Sequence, residues 1–330
     1  MRVSAVRMKI LTLLLAFAAL VSLPFWLGNA YYINIASQVL IYAVLAMGLN
    51  VLVGYAGLVT LGHAGLFGVS CYAAATLINA GHGSIVASLG ALSATLAATA
   101  IFAVLALRGT GLGFVMITVA LGQIVWGIAF RWISLTNGDN GVSINTRPHP
   151  FGIALDNAPA FYWATLAVFL ITLGCITVFV ASPFGAAVRG TRDQPRRMTA
   201  LGYNVWLTRF LAFLLSGFWS GVAGLLYLYY NQFVSPETVA LSSSAEALLM
   251  VIAGGTATIF GPIFGAALVV IIKDVASAYI TRWNFMLGAI FVLIVVFMPE
   301  GFVPGSVRLW RWATASRRPR APVLTEERVP

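Results

Sequence analysis

The sequence predicts an all-α integral membrane protein with about ten transmembrane helices, some of them short or broken. Of its 330 residues, 60% are hydrophobic and only 8% are charged, whereas about a quarter of the residues in a soluble globular protein are charged. Apolar runs long enough to cross a hydrocarbon core of about 30 Å recur along the chain. The basic residues lie between these runs, as they do on the cytoplasmic side of a membrane.

Turn-forming residues divide the apolar sequence into candidate transmembrane spans. They lie near residues 10–27, 32–53, 64–80, 85–107, 112–133, 160–181 and 207–230, and shorter runs follow at 245–260, 262–280 and 285–299. Because the first run extends over about 18 residues and further spans follow it, we expect an uncleaved helix rather than a signal peptide. Gly261-Pro262 is the expected inner turn between the first two of the shorter runs.

The distribution of arginine orients these spans. Residues 182–206 carry four arginines and one acid, and five more arginines lie between residues 308 and 320. Under the positive-inside rule both segments and the N-terminus are cytoplasmic, and residues 134–159 and 231–245 face the periplasm. We therefore expect one transmembrane domain over 1–305 and a basic, disordered cytoplasmic tail over 306–330. The net charge of +10 reflects this orientation, and no nucleic-acid partner is expected.

Several active chemistries lack the residues that they require. The chain has no GxxxxGK[ST] phosphate loop, so we do not expect it to hydrolyse ATP. Seven of the nine acidic residues lie in predicted loops or in the tail, which argues against proton coupling and leaves a stand-alone sodium-coupled carrier as the alternative. The three histidines lie far apart in sequence, so neither an enzyme nor a metal site is indicated.

Two adjacent charged residues fall inside an apolar run. Lys273 and Asp274 both lie in the predicted span 262–280. We expect them to neutralise each other near its outer end, with side chains that extend toward water. A polar contact in the interior of the bundle is the alternative.

Residues 182–206 also carry signals for a short helix. Asp193 or Gln194 can cap a helix that has Pro195 in its first turn, where a missing N–H costs nothing. Gly202 can end this helix in the left-handed conformation. We expect a rigid docking element on the cytoplasmic side, with a simple positive-inside loop as the alternative.

Four segments of the chain resemble a known family. They are "GLNVLVGYAGLVTLGHAGLFGVSCYAAA", "TVALGQIVWGIAFRW…LTNGDNG", "GAAVRGTRDQPRRMTALGYNVWLTRFLAFLLSGFWSGVAGLLY" and "GGTATIFGPIFGAAL", in this order. They look like consecutive signatures of the branched-chain amino acid ABC transporter permeases, and the GYxGLVxLGHA form is similar to the LivM type. The resemblance extends from about residue 40 to about residue 305.

The resemblance implies a type II-like ABC importer permease in the bacterial inner membrane. Such a permease pairs with a homologous LivH-type permease and two ATP-binding cassette subunits, and a periplasmic binding protein delivers the substrate. The partner subunits use ATP, and this chain itself binds no cofactor. The implied substrates are branched-chain amino acids or related small amino acids, amides or organic acids. The motif that docks on the ATPase corresponds here to Gly185, Arg189, Arg192, Asp193 and Gly202, to which the helix argument adds Pro195.

The stretch from Gly48 to Gly68 contains six glycines within apolar sequence. Glycine lets helices approach closely and change direction, and a broken helix in a membrane must be buried or must face a watery cavity. The candidates for lining a translocation path are the polar residues around this break, together with one residue in the middle of a later span: Asn50, Tyr55, Thr60, His63 and Gln123. Hydrogen bonding between helices is the alternative for each.

A second pattern of small residues lies in the predicted span 207–230. Ser216, Ser220 and Gly224 recur every four residues, with Gly217 and Gly221 beside them. Small residues at this spacing allow close helix packing in lipid, so we expect a structural role.

Overall fold

A computed structural model of the chain describes residues 20–24, 28–144 and 157–279, and the single residues 285, 288, 289, 292 and 301. The predicted spans 10–27 and 285–299 lie mostly outside these residues, and the predicted tail 306–330 lies wholly outside them. In the described part, helices account for nearly all regular structure. The only sheet found there pairs Val142–Ser143 with Phe233–Val234 in antiparallel orientation.

The elements follow one another along the chain as a series of helices with short connections. They are α1 Ala30–Asn50, a π-helical turn Val51–Ala56, α2 His63–Asn79, α3 Ser84–Ala106, α4 Leu112–Arg131, α5 Ile133–Thr136, a 3-10 turn Gly138–Asn140, β1 Val142–Ser143, α6 Ala158–Ala181, α7 Pro183–Asp193, α8 Pro195–Ala200, α9 Val205–Asn231, β2 Phe233–Val234, a 3-10 turn Pro236–Val239, α10 Leu241–Gly254 and α11 Gly261–Tyr279.

Five of these helices are long and apolar enough to cross a membrane: α1 with its π turn, α3, α4, α6 and α9. The apolar helix α10 is shorter, with 14 residues. The prediction of an all-α, multi-pass membrane protein is therefore confirmed. The spans predicted between residues 32 and 230 coincide with helices to within a few residues at each end.

Helix starts are fixed by side chains that the sequence supplies locally. Asn29, Ser182 and Asn204 each precede a helix and accept a hydrogen bond from a backbone N–H in its first turn, at 3.0–3.1 Å. These bonds pair N–H groups that have no partner within the helix. Proline also occupies the first turn of α6, α7 and α8, where no backbone donor is lost.

Helices α1 and α9 form the centre of the bundle. Helix α1 packs against α6, α9 and α11, while α9 also packs against α2 and α3. In the most apolar stretch of α1, 89% of the residues are buried, against 17% in α4. Helix α4 therefore lies at the periphery and presents most of its surface to lipid or to a partner.

The small residues of α9 lie where the central helices come closest. A methyl group on Gly217 would overlap the Thr99 side chain of α3, and one on Gly224 would overlap the Phe67 carbonyl of α2. Ser216 and Ser220 are fully buried beside Gly48 of α1, and Gly221 lies against Thr95 of α3. Helices α2 and α3 thus approach α9 at a distance that larger side chains would prevent.

Two loops meet at one end of α9. Val142 in β1 pairs with Val234 in β2, and Asn79 at the end of α2 donates a hydrogen bond to the Ser143 carbonyl at 3.0 Å. Helices α7 and α8 precede the opposite end of α9. The two segments expected outside the membrane therefore lie together, at the far end of α9 from residues 182–206.

Two expectations about the last described helices need correction. Lys273 pairs with Glu246 of α10 at 3.1 Å, and Asp274 accepts a hydrogen bond from the Tyr31 hydroxyl at 2.6 Å. Each charge therefore has a partner on another helix, so the neutral pair expected from sequence is wrong. The inner turn also comes earlier than expected, at residues 255–260, because Pro262 suits the first turn of α11.

Candidate functional site

The first part of the candidate site is the break that follows α1. The helix widens into the π turn Val51–Ala56, Gly57 takes the left-handed conformation at a φ of 70°, and α2 begins at His63. Every residue of the π turn is buried. The glycines of this stretch thus mark a change of backbone direction, as their clustering predicted, and π turns occur often at functional sites.

The break lies inside the bundle rather than at its surface. His63 contacts Ser216, which lies eleven residues, or about 17 Å, along α9 from its start at Val205. Helix α2 therefore begins partway along α9 and runs beside it toward Asn231. Backbone groups at this buried start have side-chain partners: Ala64 N–H donates to Ser244 Oγ at 3.1 Å, and Leu61 N–H donates to Thr118 Oγ1 at 3.3 Å. An apolar surrounding requires such pairing.

His63 joins three helices through a hydrogen-bonded network. Ser216 Oγ donates its single proton to the Gly48 carbonyl at 2.7 Å, so it must accept from His63 Nε2 at 2.8 Å. The His63 proton therefore lies on Nε2, while Nδ1 faces Thr60 Oγ1 at 3.5 Å. Both His63 and Thr60 are 1% exposed. This is the arrangement that helix-to-helix bonding requires, and a role in lining the path remains a prediction.

Asn50 connects the end of α1 to the turn between α10 and α11. Its Oδ1 accepts from Ala257 N–H at 3.1 Å, and its Nδ2 donates to the Thr258 carbonyl at 2.8 Å. Ala257 has a φ of 58°, which is unusual for a residue other than glycine, and these bonds help to hold it there. Asn50 is 2% exposed, so the contact is shielded from solvent.

The other two path candidates lie in different surroundings. Tyr55 is buried in the π turn beside the break. Gln123 is exposed, on the outer face of α4, whereas Thr118 and Gly122 of the same helix face the break. The structure therefore brings four of the five candidates together and leaves Gln123 apart from them.

The second part of the candidate site is the helix pair α7 and α8. The sequence predicted α8, and its end is confirmed: Gly202 has a φ of 87°, and the N–H groups of Gly202 and Tyr203 bond back to Thr199 and Met198. Of the two expected cap residues, Gln194 occupies the N-cap position but makes no side-chain bond there, and Asp193 is the last residue of α7. Helix α7 itself was missed, although Ser182 followed by proline is a sequence signal for a helix start.

Three arginines fasten this pair to the ends of neighbouring helices. Arg189 donates to the Val180 carbonyl of α6 at 2.9 Å, and Arg192 donates to the Gly54 carbonyl of the π turn. Arg209 at the start of α9 donates to the Thr191 carbonyl of α7 at 2.8 Å. Charged donors form strong bonds with carbonyl groups, so α7 is held on three sides. Sequence reasoning did not single out Arg209.

Gly185 and Pro195 have simpler positions in the pair. A methyl group on Gly185 would overlap the Phe179 carbonyl, so only glycine allows α7 to turn so tightly away from α6. Pro195 is the first residue of α8. Asp193 lies 3.8 Å from Arg192 in an exposed ion pair, and such pairs contribute little to stability.

Helix α7, the π turn and the turn 255–260 meet at one point, which we call the junction: Asn50, Gly54, Gly57, Arg192 and Ala257. A methyl group on Gly54 would overlap both Asn50 Oδ1 and the Ala257 backbone. The methylene groups of Arg192 cover Gly57. The junction therefore joins the α7–α8 pair, through direct contacts, to the two interrupted regions of the bundle: the break after α1 and the turn 255–260 between α10 and α11. In the described part of the chain, no group of three or more metal-ligating side chains was found.

Interrupted helices within a membrane bundle, fastened to a short helix pair at one end, are features of a membrane transport subunit. Residues 31–296 match the family model described as branched-chain amino acid transport system / permease component, and the chain belongs to this family. It is a permease subunit of an ATP-binding cassette importer and not an enzyme.

Individual relatives agree with the family match. The chain is 28% identical to the high-affinity branched-chain amino acid transport system permease protein LivM of Salmonella typhimurium and of Escherichia coli K12, over 91% of this chain and 76% of each relative. It is 22% identical to the corresponding protein LivH of Escherichia coli K12, over 79% of this chain and 91% of the relative. The greater likeness to LivM confirms the type that the sequence motifs indicated. No solved structure matches the chain significantly.

Proposed function

We propose that this chain forms part of a translocation path for branched-chain amino acids or related small amino acids, amides or organic acids. A homologous LivH-type permease supplies the rest of the path, two ATP-binding cassette subunits bind and hydrolyse ATP, and a periplasmic binding protein delivers the substrate. This chain binds membrane lipid and no cofactor. The proposal draws on the family match and on the separate likeness to both LivM and LivH.

In this proposal the α7–α8 pair is the surface that docks on an ATPase subunit. Arg196 and Arg197 of α8 are exposed, and Leu201 immediately after the helix is 65% exposed. Tyr203 is also exposed. Solvent-exposed apolar side chains next to charged ones are typical of a surface that a partner protein covers.

The junction is the observation that carries the proposal furthest. An ATPase that moves α7 would move Arg192, whose guanidinium holds the Gly54 carbonyl in the π turn. Gly54 touches Asn50, and Asn50 holds the turn 255–260. A displacement at the docking surface is thereby transmitted to both interrupted regions. Gly185, Arg189, Asp193, Pro195 and Gly202 would fix the shape of the docking pair, and the small residues of α9 would hold the bundle together.

The proposed topology places both termini and residues 182–206 in the cytoplasm of a bacterium and the β1–β2 pairing at the periplasmic face of its inner membrane. Arginine placement supports it, as does the position of α7 and β2 at opposite ends of α9. The proposal includes about ten membrane spans arranged in a type II-like importer fold. In this architecture Asn50, Tyr55, Thr60 and His63 lie beside the path, and Gln123 faces lipid or the second permease.

The test is reconstitution of the whole importer. We expect the chain to co-purify with a LivH-type permease and two ATPase subunits, and ATP hydrolysis to rise when a leucine-loaded binding protein is added. Arg192→Ala should uncouple hydrolysis from import, while Arg197→Ala, which removes an exposed arginine of the docking surface and leaves the contact to the π turn intact, should reduce ATPase stimulation less and keep the ratio of import to hydrolysis unchanged. Uptake by the isolated chain in liposomes under a sodium gradient, without ATPases, would overturn the proposal in favour of a sodium-coupled carrier.

A further inference from the structure

A cavity of about 370 Å³ lies between α1, α2, α9, α10 and α11, beside residues 233–238. Tyr42 of α1, Ala64 of α2 and Tyr227 of α9 line it. On all three helices these residues lie on the Asn231 side of the His63–Ser216 contact. The cavity therefore occupies the half of the bundle proposed to face the periplasm. Its volume lies within the range of about 300–1,000 Å³ that is typical of small-molecule sites.

One wall of the cavity carries charges of both signs. Lys273 Nζ lies 3.1 and 3.4 Å from the two carboxylate oxygens of Glu246. The Lys273 side chain is 39% exposed and that of Glu246 is 15% exposed, so both can be reached from the cavity. Glu237 also lines it, which gives two carboxylates and one ammonium. Ionisable side chains inside a membrane protein are costly and mark functional sites.

Three aromatic side chains form another part of the lining. The rings of Phe67 and Tyr227 lie edge to face with their centres 5.1 Å apart, and the rings of Tyr42 and Tyr227 lie 6.3 Å apart. The three rings therefore lie next to one another in the lining. A ligand in this cavity would meet both charged and aromatic side chains.

We propose that this cavity binds a free amino acid on its way through the membrane, an inference that rests on the proposed function. The ligand ammonium would bind Glu246, the ligand carboxylate would bind Lys273, and an apolar side chain would lie against Tyr42, Phe67 and Tyr227. A zwitterion would pair with both Glu246 and Lys273, which avoids the cost of leaving either charge isolated. A carboxylate without an ammonium would draw Lys273 away and leave Glu246 and Glu237 without a cation, and a neutral amide would offer neither charge a partner of opposite sign. The cavity therefore favours amino acids over organic acids and neutral amides.

The test measures binding to the assembled importer, purified without its binding protein. The probes are tritiated L-leucine and two competitors that each lack one charge, 4-methylpentanoate and isopentylamine. We expect saturable leucine binding and at least tenfold weaker competition by either analogue. Lys273→Gln should weaken leucine binding at least tenfold. Asp274→Asn serves as the matched control, because it removes a charge from the next residue of α11, whose partner is Tyr31 outside this cavity.

A change of preference separates a binding role from structural damage. In Glu246→Gln the carboxylate that repels an anion is gone, so the preference for leucine over 4-methylpentanoate should fall at least tenfold. Equal weakening of both ligands would show that Glu246 only stabilises the fold and would overturn the inference. So would the absence of saturable leucine binding to the wild-type complex.

The inference and the proposed function fail in different ways. If the complex imports leucine and its Glu246 and Lys273 variants retain the wild-type KM, the cavity is not used, but the proposed function stands. If the complex assembles without ATPase activity that responds to the binding protein, the proposed function fails, whatever the cavity binds.

Discussion

Gly54 offers the most direct test of the junction, because the space around it is filled by groups that cannot move independently. A methyl group there would overlap Asn50 Oδ1, the Ala257 nitrogen and the Ala257 Cα. Overpacking in a well-packed interior costs about 1–3 kcal/mol. Since two of the three atoms are backbone and Asn50 is held by two hydrogen bonds, we expect the upper end of that range. The intrinsic preference for alanine in a helix returns about 1 kcal/mol, so Gly54→Ala should cost about 2 kcal/mol net.

A matched variant on another helix isolates this effect. Gly174 in α6 has nothing within 4 Å of the position that a Cβ would occupy. Gly174→Ala should therefore leave stability unchanged or raise it by up to about 1 kcal/mol. Both substitutions add one apolar methyl group, so both variants should insert into the membrane normally.

The assay compares heat inactivation and leucine import of the two importer complexes at matched expression. A loss of about 2 kcal/mol changes the unfolding equilibrium constant more than tenfold, so we expect Gly54→Ala to inactivate at a lower temperature than Gly174→Ala. Because Gly54 lies in the junction that is proposed to link the ATPase to the bundle, Gly54→Ala should also import leucine more slowly than Gly174→Ala at a temperature where both are folded. Equal stability and equal import in the two variants would refute the packing of the junction described above.

Three further predictions concern the neighbouring features. Gly202→Val places a β-branched side chain at a φ of 87°, which costs about 1–3 kcal/mol; it should reduce ATPase association or stimulation more than Arg197→Ala does, and equal, unimpaired stimulation in both would show that the loop only anchors the chain. Asn50→Ala removes both hydrogen bonds from this side chain to the half-buried turn 255–260, each of which contributes about 0.5–1.5 kcal/mol, so heat inactivation should shift to lower temperature; an unchanged profile would count against a stabilising role of Asn50. A cysteine at Gln194 should react with an impermeant thiol reagent only after the inner membrane is permeabilised, and strong labelling in intact cells would show that the proposed topology is wrong.

Local sequence signals predicted most of the helices. Apolar length alone located the spans between residues 32 and 230, because a helix in lipid must bury its own backbone bonds. The conformation of Gly202 was also predictable, since the left-handed turn after a short helix favours glycine. Helix α7 was within reach of the same reasoning, through Ser182 and the proline that follows it.

Contacts between distant residues were not predictable in this way. Lys273 pairs with Glu246, 27 residues away on a separate helix, whereas the sequence favoured the adjacent Asp274 and offered a contact inside the bundle, with no named residue, as the alternative. Gln123 was grouped with the other path candidates because it is polar within an apolar span, but Thr118 and Gly122 are the residues of α4 that face the break, and Gln123 lies apart from it; its role in the path stays a prediction. In both cases the deciding quantity is the rotation of one helix against another, which tertiary packing determines.

The three arginines that hold α7 all donate to main-chain carbonyls: those of Val180, Gly54 and Thr191. An acceptor of this kind is present whatever side chain occupies the position. Coupled substitutions among relatives should therefore reveal no covarying acceptor for these three bonds, although Arg192 also forms an exposed ion pair with Asp193. A double-mutant cycle cannot delete such an acceptor by changing a side chain. The contact between the docking pair and the break therefore depends on a backbone acceptor, which no side-chain substitution removes. Amide-to-ester replacement at residue 55 would test it, because this change weakens the Gly54 carbonyl as an acceptor.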